Sequence, residues 1–178
     1  MEKTKKKIKQ ALLSLLEKKR ITDLSISEIC KKAHVNRNTF YAHFATPEKV
    51  IDEIADDLTN EEFKLLRARR TTKEIVIAAC EYTKAHANEN RILLSNGGEK
   101  YFIEKSIEYS VKAPIYIINN DDNKLTSKQI EMVHTYIIHG AVAILKEWLY
   151  SGMKESPEEI GEMVDRISSS LIAGINRA

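Results

Sequence analysis

Apolar residues recur along most of this chain at intervals of three and four, the period of helices that bury one face. Ile8, Ala11, Leu12, Leu15 and Leu16 form the first stripe and predict a helix over about 3–19. Ile21 and Leu24 carry the chain into a short second run with Ile26, Ile29 and Ala33 on one face, and Phe40 and Phe44 anchor a third over 37–44. Val50, Ile51, Ile54, Leu58, Leu65 and Leu66 predict a long fourth helix from Pro47 to about Arg70. Thr71 or Thr72 opens a fifth, running to about Ala87 with Ile75, Val76, Ala79 and Tyr82 inward, and Asn88 is read as the cap of a short sixth with Ile92 and Leu93. Ser95-Asn96-Gly97-Gly98 is the clearest break in the chain, before a seventh helix over about 100–111 carrying Phe102, Ile103, Ile107 and Tyr109. Beyond Pro114, Ile115–Ile118 is apolar and β-branched; with no partner strand anywhere it is read as helix, ahead of a polar loop at 119–123. An eighth helix, about 127–151, has the stripe Ile130, Val133, Ile137, Ala141, Ile144, Leu145 and Trp148, widened by Ile138 and Leu149. Ser156-Pro157-Glu158-Glu159 starts a ninth, with Ile160, Met163, Val164, Ile167, Leu171, Ile172 and Ile175 apolar. The expected fold class is all-α, with about nine helices.

The residues from Ser25 to Lys49 hold the most specific local signals. Ser25 and Glu28 have the spacing of a capping box, in which the hydroxyl takes the Glu28 amide and the carboxylate reaches back. His34-Val35-Asn36 interrupts the helical pattern, and Asn36 is a strong N-cap for the run that follows. Thr46-Pro47 repeats the device, a cap followed by proline where the missing amide costs nothing. Two short helices joined by a tight turn, the second opening on Arg37, Asn38 and Thr39, read as a helix-turn-helix.

Ile29, Ala33, Val35, Asn36, Thr39, Phe40, Tyr41, His43 and Phe44 together resemble the DNA-binding motif of the TetR/AcrR family of bacterial transcriptional regulators. Two positions depart from that pattern. His34 stands where the family usually has a left-handed glycine, a conformation histidine tolerates better than most residues. Pro47 stands where a phosphate-contacting lysine is usual, and Lys49 is at best a partial replacement. The stretch from Gly140 to Glu159 also resembles the C-terminal domain of the DhaS-like subgroup, in its Trp-containing helix end and Ser-Pro-Glu-Glu restart. The resemblance implies a DNA-binding domain over 1–46 and an effector-binding and dimerisation domain over 47–178.

Composition changes this picture only through its distribution. Across 178 residues the net charge is +2, which by itself argues for no nucleic-acid partner. Through Val50, however, twelve Lys and Arg stand against five Asp and Glu, while the remainder has sixteen against twenty-one. A basic N-terminal part on an acidic remainder suits a DNA-binding module joined to a sensing one, although the solvated lysines at 3, 5, 6, 7 and 9 account for about half of the asymmetry. Cys30 and Cys80 lack metal-ligand spacing, and Cys30 reads as a small buried hydrophobe. No apolar run approaches the ~18 residues of a membrane span, so a cytoplasmic protein is expected.

Catalytic chemistry finds little support. His34, His43, His86, His134 and His139 have no metal spacing, neither cysteine has an evident histidine partner, and adjacent carboxylates such as Asp56-Asp57 point apart on a helix. No enzyme activity, metal or cofactor is expected. For DNA the candidates are Arg37, whose guanidinium can pair with guanine O6 and N7, with Asn38 and Thr39 beside it. Ser25, Ser27 and Asn36 are candidates for phosphate contacts at helix N-termini. Tyr41 and His43 match family positions that commonly touch phosphates, and Lys49 and the N-terminal lysines add non-specific attraction. By resemblance, Tyr82, His86, Phe102, Tyr109 and Trp148 are candidates to line an effector cavity, though aromatics at this spacing are more often plain core. The last two helices suggest a homodimer, with Ile137, Ala141, Ile144, Val164, Ile167 and Leu171 at its interface. The function implied is a homodimeric regulator, a repressor released from a palindromic operator by a small-molecule effector. An activator, a regulator controlled by a protein partner and a helical adaptor that no longer reads DNA are the alternatives.

Overall fold

The described residues of the computed structural model, 2–69, 71–95, 98–112 and 125–177, form nine α-helices and one 3-10 turn, with no strand among them. They fall into two compact units, Met1–Asn60 with Asn88–Ser106 and Glu61–Ala87 with Ile107–Ala178. Arg70, the Asn96-Gly97 pair and the expectations for 113–123 lie outside the described residues.

The first unit opens with α1 (Glu2–Leu16), which ends three residues earlier than the periodicity predicts. Its last turn tightens, with the Lys18 amide on the Leu15 carbonyl at 3.1 Å, and Lys19 leaves the helix to meet Glu28 at 2.5 Å. A 3-10 turn (Ile21–Asp23) follows, then α2 (Ile26–Ala33), α3 (Arg37–Tyr41) and α4 (Pro47–Leu66). Ile8, Leu12, Leu16, Ile29, Phe40, Val50 and Ile51 are fully buried in one cluster. Ile92 and Leu93 of α6 (Ala87–Ser95) complete it, with Tyr101 and Phe102 of α7 (Glu99–Lys112) packed against it. The first fifty residues thus draw core from two later helices, which relieves the thinness of so short a unit. Gly98 is required here, because a Cβ would strike the Leu93 carbonyl and the Ile51 side chain.

Two expectations need correction. The sixth helix begins at Ala87, so Asn88 lies inside its first turn and does not cap it. On α4, Leu65 is 52% exposed while Thr59, Glu62 and Phe63 are buried. The buried line of Ile51, Ile54 and Leu58 continues through Glu62, and late in α4 it turns towards Phe63 and Leu66, leaving Leu65 outside.

The second unit is built on α5 (Thr72–Ala85), packed against α8 (Ser127–Tyr150) and α9 (Pro157–Arg177). Thr71, Thr126 and Ser156 each close a capping box with Glu74, Gln129 and Glu159. Val76, Cys80, Trp148, Ile160 and Val164 form one buried cluster, and Leu66, Ile75, Ala78 and Ala79 another. α5 and α9 approach closely enough that a Cβ at Gly161 would sit 2.6 Å from Ile77 Cγ1. Between α8 and α9, Gly152 and Met153 take left-handed backbone (φ 96 and 55) and reverse the chain. The Trp148 indole donates to the Glu155 carbonyl at 3.0 Å, tying that reversal to the core.

Candidate nucleic-acid interface

The turn between α2 and α3 closes the way its residue types require. His34 takes φ 54, ψ 45, the left-handed cap, with its amide on Lys31 O and the Val35 amide on Cys30 O at 3.4 and 3.0 Å. Asn36 then accepts the Thr39 amide at 2.7 Å, fixing the start of α3. Phe40 points inward with no exposure. The helix stops at Tyr41, earlier than expected, yet the amides of His43 and Phe44 still bond Phe40 O at 2.9 Å, so Phe44 reaches the core from beyond the helix end. That burial leaves Arg37, Asn38 and Tyr41 on the surface, with Thr39 half-buried beside them.

All nine candidate DNA contacts lie in the first unit. Ser25, Ser27, Asn36, Arg37, Asn38, Tyr41 and Lys49 are exposed; Thr39 and His43 are half-buried. Their chemistry is unequal. The Ser25 hydroxyl donates to Glu28 at 2.7 Å and accepts its amide at 3.2 Å, so it is already engaged. Lys19, followed by the Ser25 amide and hydroxyl, holds the Glu28 carboxyl down at about 2, placing a fixed negative charge at the start of α2. Asn36 is likewise committed through its side-chain oxygen. Lys49 lies 3.4 Å from Asp52, and with His43 it lines a groove of about 470 Å³ that also holds Glu53, Asp56 and Lys105. The Tyr41 side chain, one helical turn away, raises the pKa of the Arg37 guanidinium above its ordinary value.

The N-terminal lysines are less available than their number suggests. Lys5 meets Glu53 at 2.9 Å, and Lys9 bridges Glu53 at 2.8 Å and Asp57 at 2.6 Å. Burial opposes the charge on Lys9, but bonds to Asp57 and Glu53 hold its ammonium above the ordinary lysine value. This ladder between α1 and α4 escaped the sequence reading because its partners lie more than forty residues apart, 48 for Lys5–Glu53 and for Lys9–Asp57.

A family model described as a transcriptional regulator C-terminal region, of the TetR type, matches residues 70–170. The chain belongs to the TetR family of transcriptional regulators. A TetR transcriptional regulator from Streptococcus agalactiae 2603V is 22% identical over 94% of both chains, with a TM-score of 0.73. The dihydroxyacetone kinase operon activator DhaS is 18% identical over 96% of both chains, at a TM-score of 0.55. Among curated proteins, the uncharacterized HTH-type transcriptional regulator YxbF of Bacillus subtilis (strain 168) is 22% identical over 173 residues. That match takes in 92% of this chain and 44% of the relative, so this chain spans less than half of YxbF. The two structural likenesses establish a shared all-helical fold.

In this TetR-family chain the remaining candidates separate by unit. Phe102 packs on the first unit's core, whereas Tyr82, Tyr109 and Trp148 belong to the second. Tyr82 is buried, stacks on His86 with centroids 4.3 Å apart, and its hydroxyl lies 3.4 Å from Glu61. Tyr109 stacks on Phe63 at 5.6 Å. Trp148 is buried and borders a groove of about 520 Å³ along α8 and α9, shared with Ile144, Ile160 and Met163. Of the dimer candidates, Ile137 and Val164 are only 5% and 3% exposed within the chain itself, and their burial removes them from any outer surface. Ala141, Ile144 and Leu171 are half-buried, and Ile167 is 52% exposed. Met132 and Tyr136, 63% and 68% exposed on α8, were passed over because they sit off the apolar stripe.

Glu62 is the functional-type residue the sequence reading missed. Burial alone pushes its carboxyl up to about 7, and its place in line with Ile54 and Leu58, eight and four residues before it, was the available signal. Among the described residues no group of His, Cys, Asp and Glu is arranged to hold a metal ion, and no helix is long and apolar enough to cross a membrane.

Proposed function

We propose that this chain is a homodimeric, sequence-specific DNA-binding regulator, acting in the cytoplasm as a repressor that a small-molecule effector releases from a palindromic operator. The observation that carries the reading is the first turn of α3. A capped start and a buried Phe40 leave Arg37, Asn38 and Tyr41 exposed together on one helix. In a major groove Arg37 pairs with guanine, and Asn38 and Thr39 meet neighbouring base edges. Phosphate contacts come from Ser27, His43 and Lys49, with less from Ser25 and Asn36, whose side chains already serve as caps. Two such units, one groove repeat apart, read the two halves of a palindrome.

For the dimer, support now rests on the exposed apolar side chains of the second unit, Ile167 and Met163 on α9 and Tyr136 on α8, with Leu171 beside them. For the effector site, the second unit supplies Tyr82, His86, Tyr109 and Trp148 as candidates, and Phe102 drops out because it packs on the first unit's core. Control in the opposite direction is a second reading, favoured by the structural likeness to DhaS, which is described as an operon activator.

Binding of the full chain to palindromic fragments from upstream of its own gene tests the reading. Salt-sensitive, sequence-dependent binding is expected. Arg37→Ala should weaken binding to the preferred fragment by about 1–3 kcal/mol while leaving non-specific binding nearly unchanged. Equal affinity for every duplex would leave only a helical adaptor.

A further inference from the structure

We propose that Ser27 and Lys31 form a phosphate clamp on one flank of α2, a hydroxyl and an ammonium that grip one backbone phosphate beside the bases read by α3. The proposal rests on the entry of α3 into a major groove, and it gives Lys31 a part in the contact that follows. Ile29, Cys30 and Ala33 are buried and Ile26 packs on the same cluster, so these four define the inner face of α2. With about 3.6 residues per turn, the outer side then divides in two. Ser27 and Lys31, four apart and both exposed, share one flank; Glu28 and Lys32, also four apart, share the other.

The two flanks differ in charge. The Glu28 carboxylate is paired with Lys19 at 2.5 Å and accepts the Ser25 amide and hydroxyl at 2.9 and 2.7 Å, so a negative group is fixed on the Lys32 flank. A phosphate approaching there meets a carboxylate. On the other flank it meets a hydroxyl and an ammonium, with no carboxylate of α2 between them. Lys31 is also uncommitted where other lysines of the first unit are not. Lys5, Lys9, Lys19 and Lys49 are each ion-paired, whereas Lys31 makes no ion pair among the described residues. Its carbonyl accepts the His34 amide at 3.4 Å, which sets Lys31 at the mouth of the turn into α3. In a helix-turn-helix the first helix crosses the backbone while the second reads bases, so this is where a phosphate passes. A lysine in the last turn of a helix also complements its dipole, but Lys32 does so equally.

The test uses the full chain and two duplexes, one that the wild type selects from a randomised pool and one of unrelated sequence, across a range of salt. Lys31→Gln should bind both roughly three- to ten-fold more weakly and lower the slope of log affinity against log salt by about one for each chain bound. Base preferences should not change, because a phosphate carries no sequence. Lys31→Arg should keep the wild-type slope. Lys32→Gln removes the same charge from the same turn and should leave the slope nearly unchanged. Both glutamine variants should melt together. Ser27→Ala should weaken binding in the wild type and have a smaller effect in Lys31→Gln, because the two groups hold one phosphate. Equal losses of slope in Lys31→Gln and Lys32→Gln would make the effect one of overall charge and overturn the clamp. So would a wild-type slope in Lys31→Gln, altered base preferences, or a Ser27→Ala loss undiminished in the Lys31→Gln background. A wild-type chain that selects no sequence overturns the DNA-binding reading itself, and this proposal with it. Sequence-dependent wild-type binding with an inert Lys31 overturns this proposal alone.

Discussion

The two units close their helices with the same devices, and both hold surface carboxylates low, Glu159 and Glu162 in the second as well as Glu28 and Glu53 in the first, but the second also buries one. In the first, Glu28 and Glu53 lie near the surface against lysines, and pairing with Lys19, or with Lys5 and Lys9, holds their pKa values below the ordinary range. In the second, Glu62 is buried and its pKa is raised to about 7 by burial alone. Its field, after burial itself, helps push the nearby Cys80 thiol up to about 12. The first arrangement suits a rigid platform, in which apolar burial sets the shape and ionic ladders tie α1 to α4 without entering the core. The second keeps a costly group inside.

The largest expected effect breaks the first unit. Phe40 is fully buried, meets Phe44 at 6.2 Å between ring centroids, and carries the Tyr41 ring on its edge. Phe40→Ala should cost about 3–5 kcal/mol through lost burial and the cavity left behind. Chemical denaturation followed by circular dichroism measures the cost. DNA binding should disappear at temperatures where the helices of the second unit persist. Retained binding would show that α3 does not depend on its anchor.

Glu62→Gln tests the other side of the comparison. The folded carboxyl titrates near 7 and the unfolded one near its ordinary 4.5, so the folded chain holds a proton that the unfolded chain releases. The stability that Glu62 contributes is therefore greatest below about 4.5, falls as pH rises through 4.5 to 7, and is flat above. The span of that fall is roughly 3 kcal/mol. Glutamine mimics the protonated form, so Glu62→Gln should match the wild type at pH 4 and exceed it at pH 8. Denaturant midpoints across that range are the measurement, and parallel wild-type and variant curves would contradict the buried-acid account.

What the sequence made legible follows the same division. Caps and turns were readable because each donor and acceptor lie three or four residues apart: Ser25 with Glu28, Asn36 with Thr39, and the left-handed His34. The surface of α3 followed from them, since Phe40 inward forces Arg37 and Tyr41 outward. Contacts set by tertiary structure were not readable. Periodicity put Leu65 inward because it continues the line of Ile51, Ile54 and Leu58, whereas Glu62, Phe63 and Leu66 are what the later part of α4 buries. Phe102 was a pocket candidate by resemblance, but packs on a core whose other members begin at Ile8. Val164 looked like interface because an apolar stripe does not say which of its members face the chain's own helices.

The smallest effect sharpens the comparison most directly, because it places a carboxylate of the first unit against Glu62. Ser25→Ala removes the hydroxyl that accepts the Glu28 amide and donates to its carboxylate, and should cost about 1 kcal/mol near neutral pH, the usual worth of a serine N-cap. Because the folded Glu28 carboxyl is held at about 2 against an ordinary 4.5, its contribution is present above 4.5 and is lost as pH falls towards 2. Part of that depression comes from the Ser25 hydroxyl, so the gap between wild type and Ser25→Ala should narrow over the same acid range. It does not close, since the serine oxygen still accepts the Glu28 amide when the carboxyl is protonated. Denaturation midpoints at pH 7, 4 and 3 test this, and a gap constant with pH would assign the whole effect to the amide bond. The direction is opposite to that of Glu62→Gln: acid weakens the capped carboxylate of the first unit, and base weakens the buried one of the second.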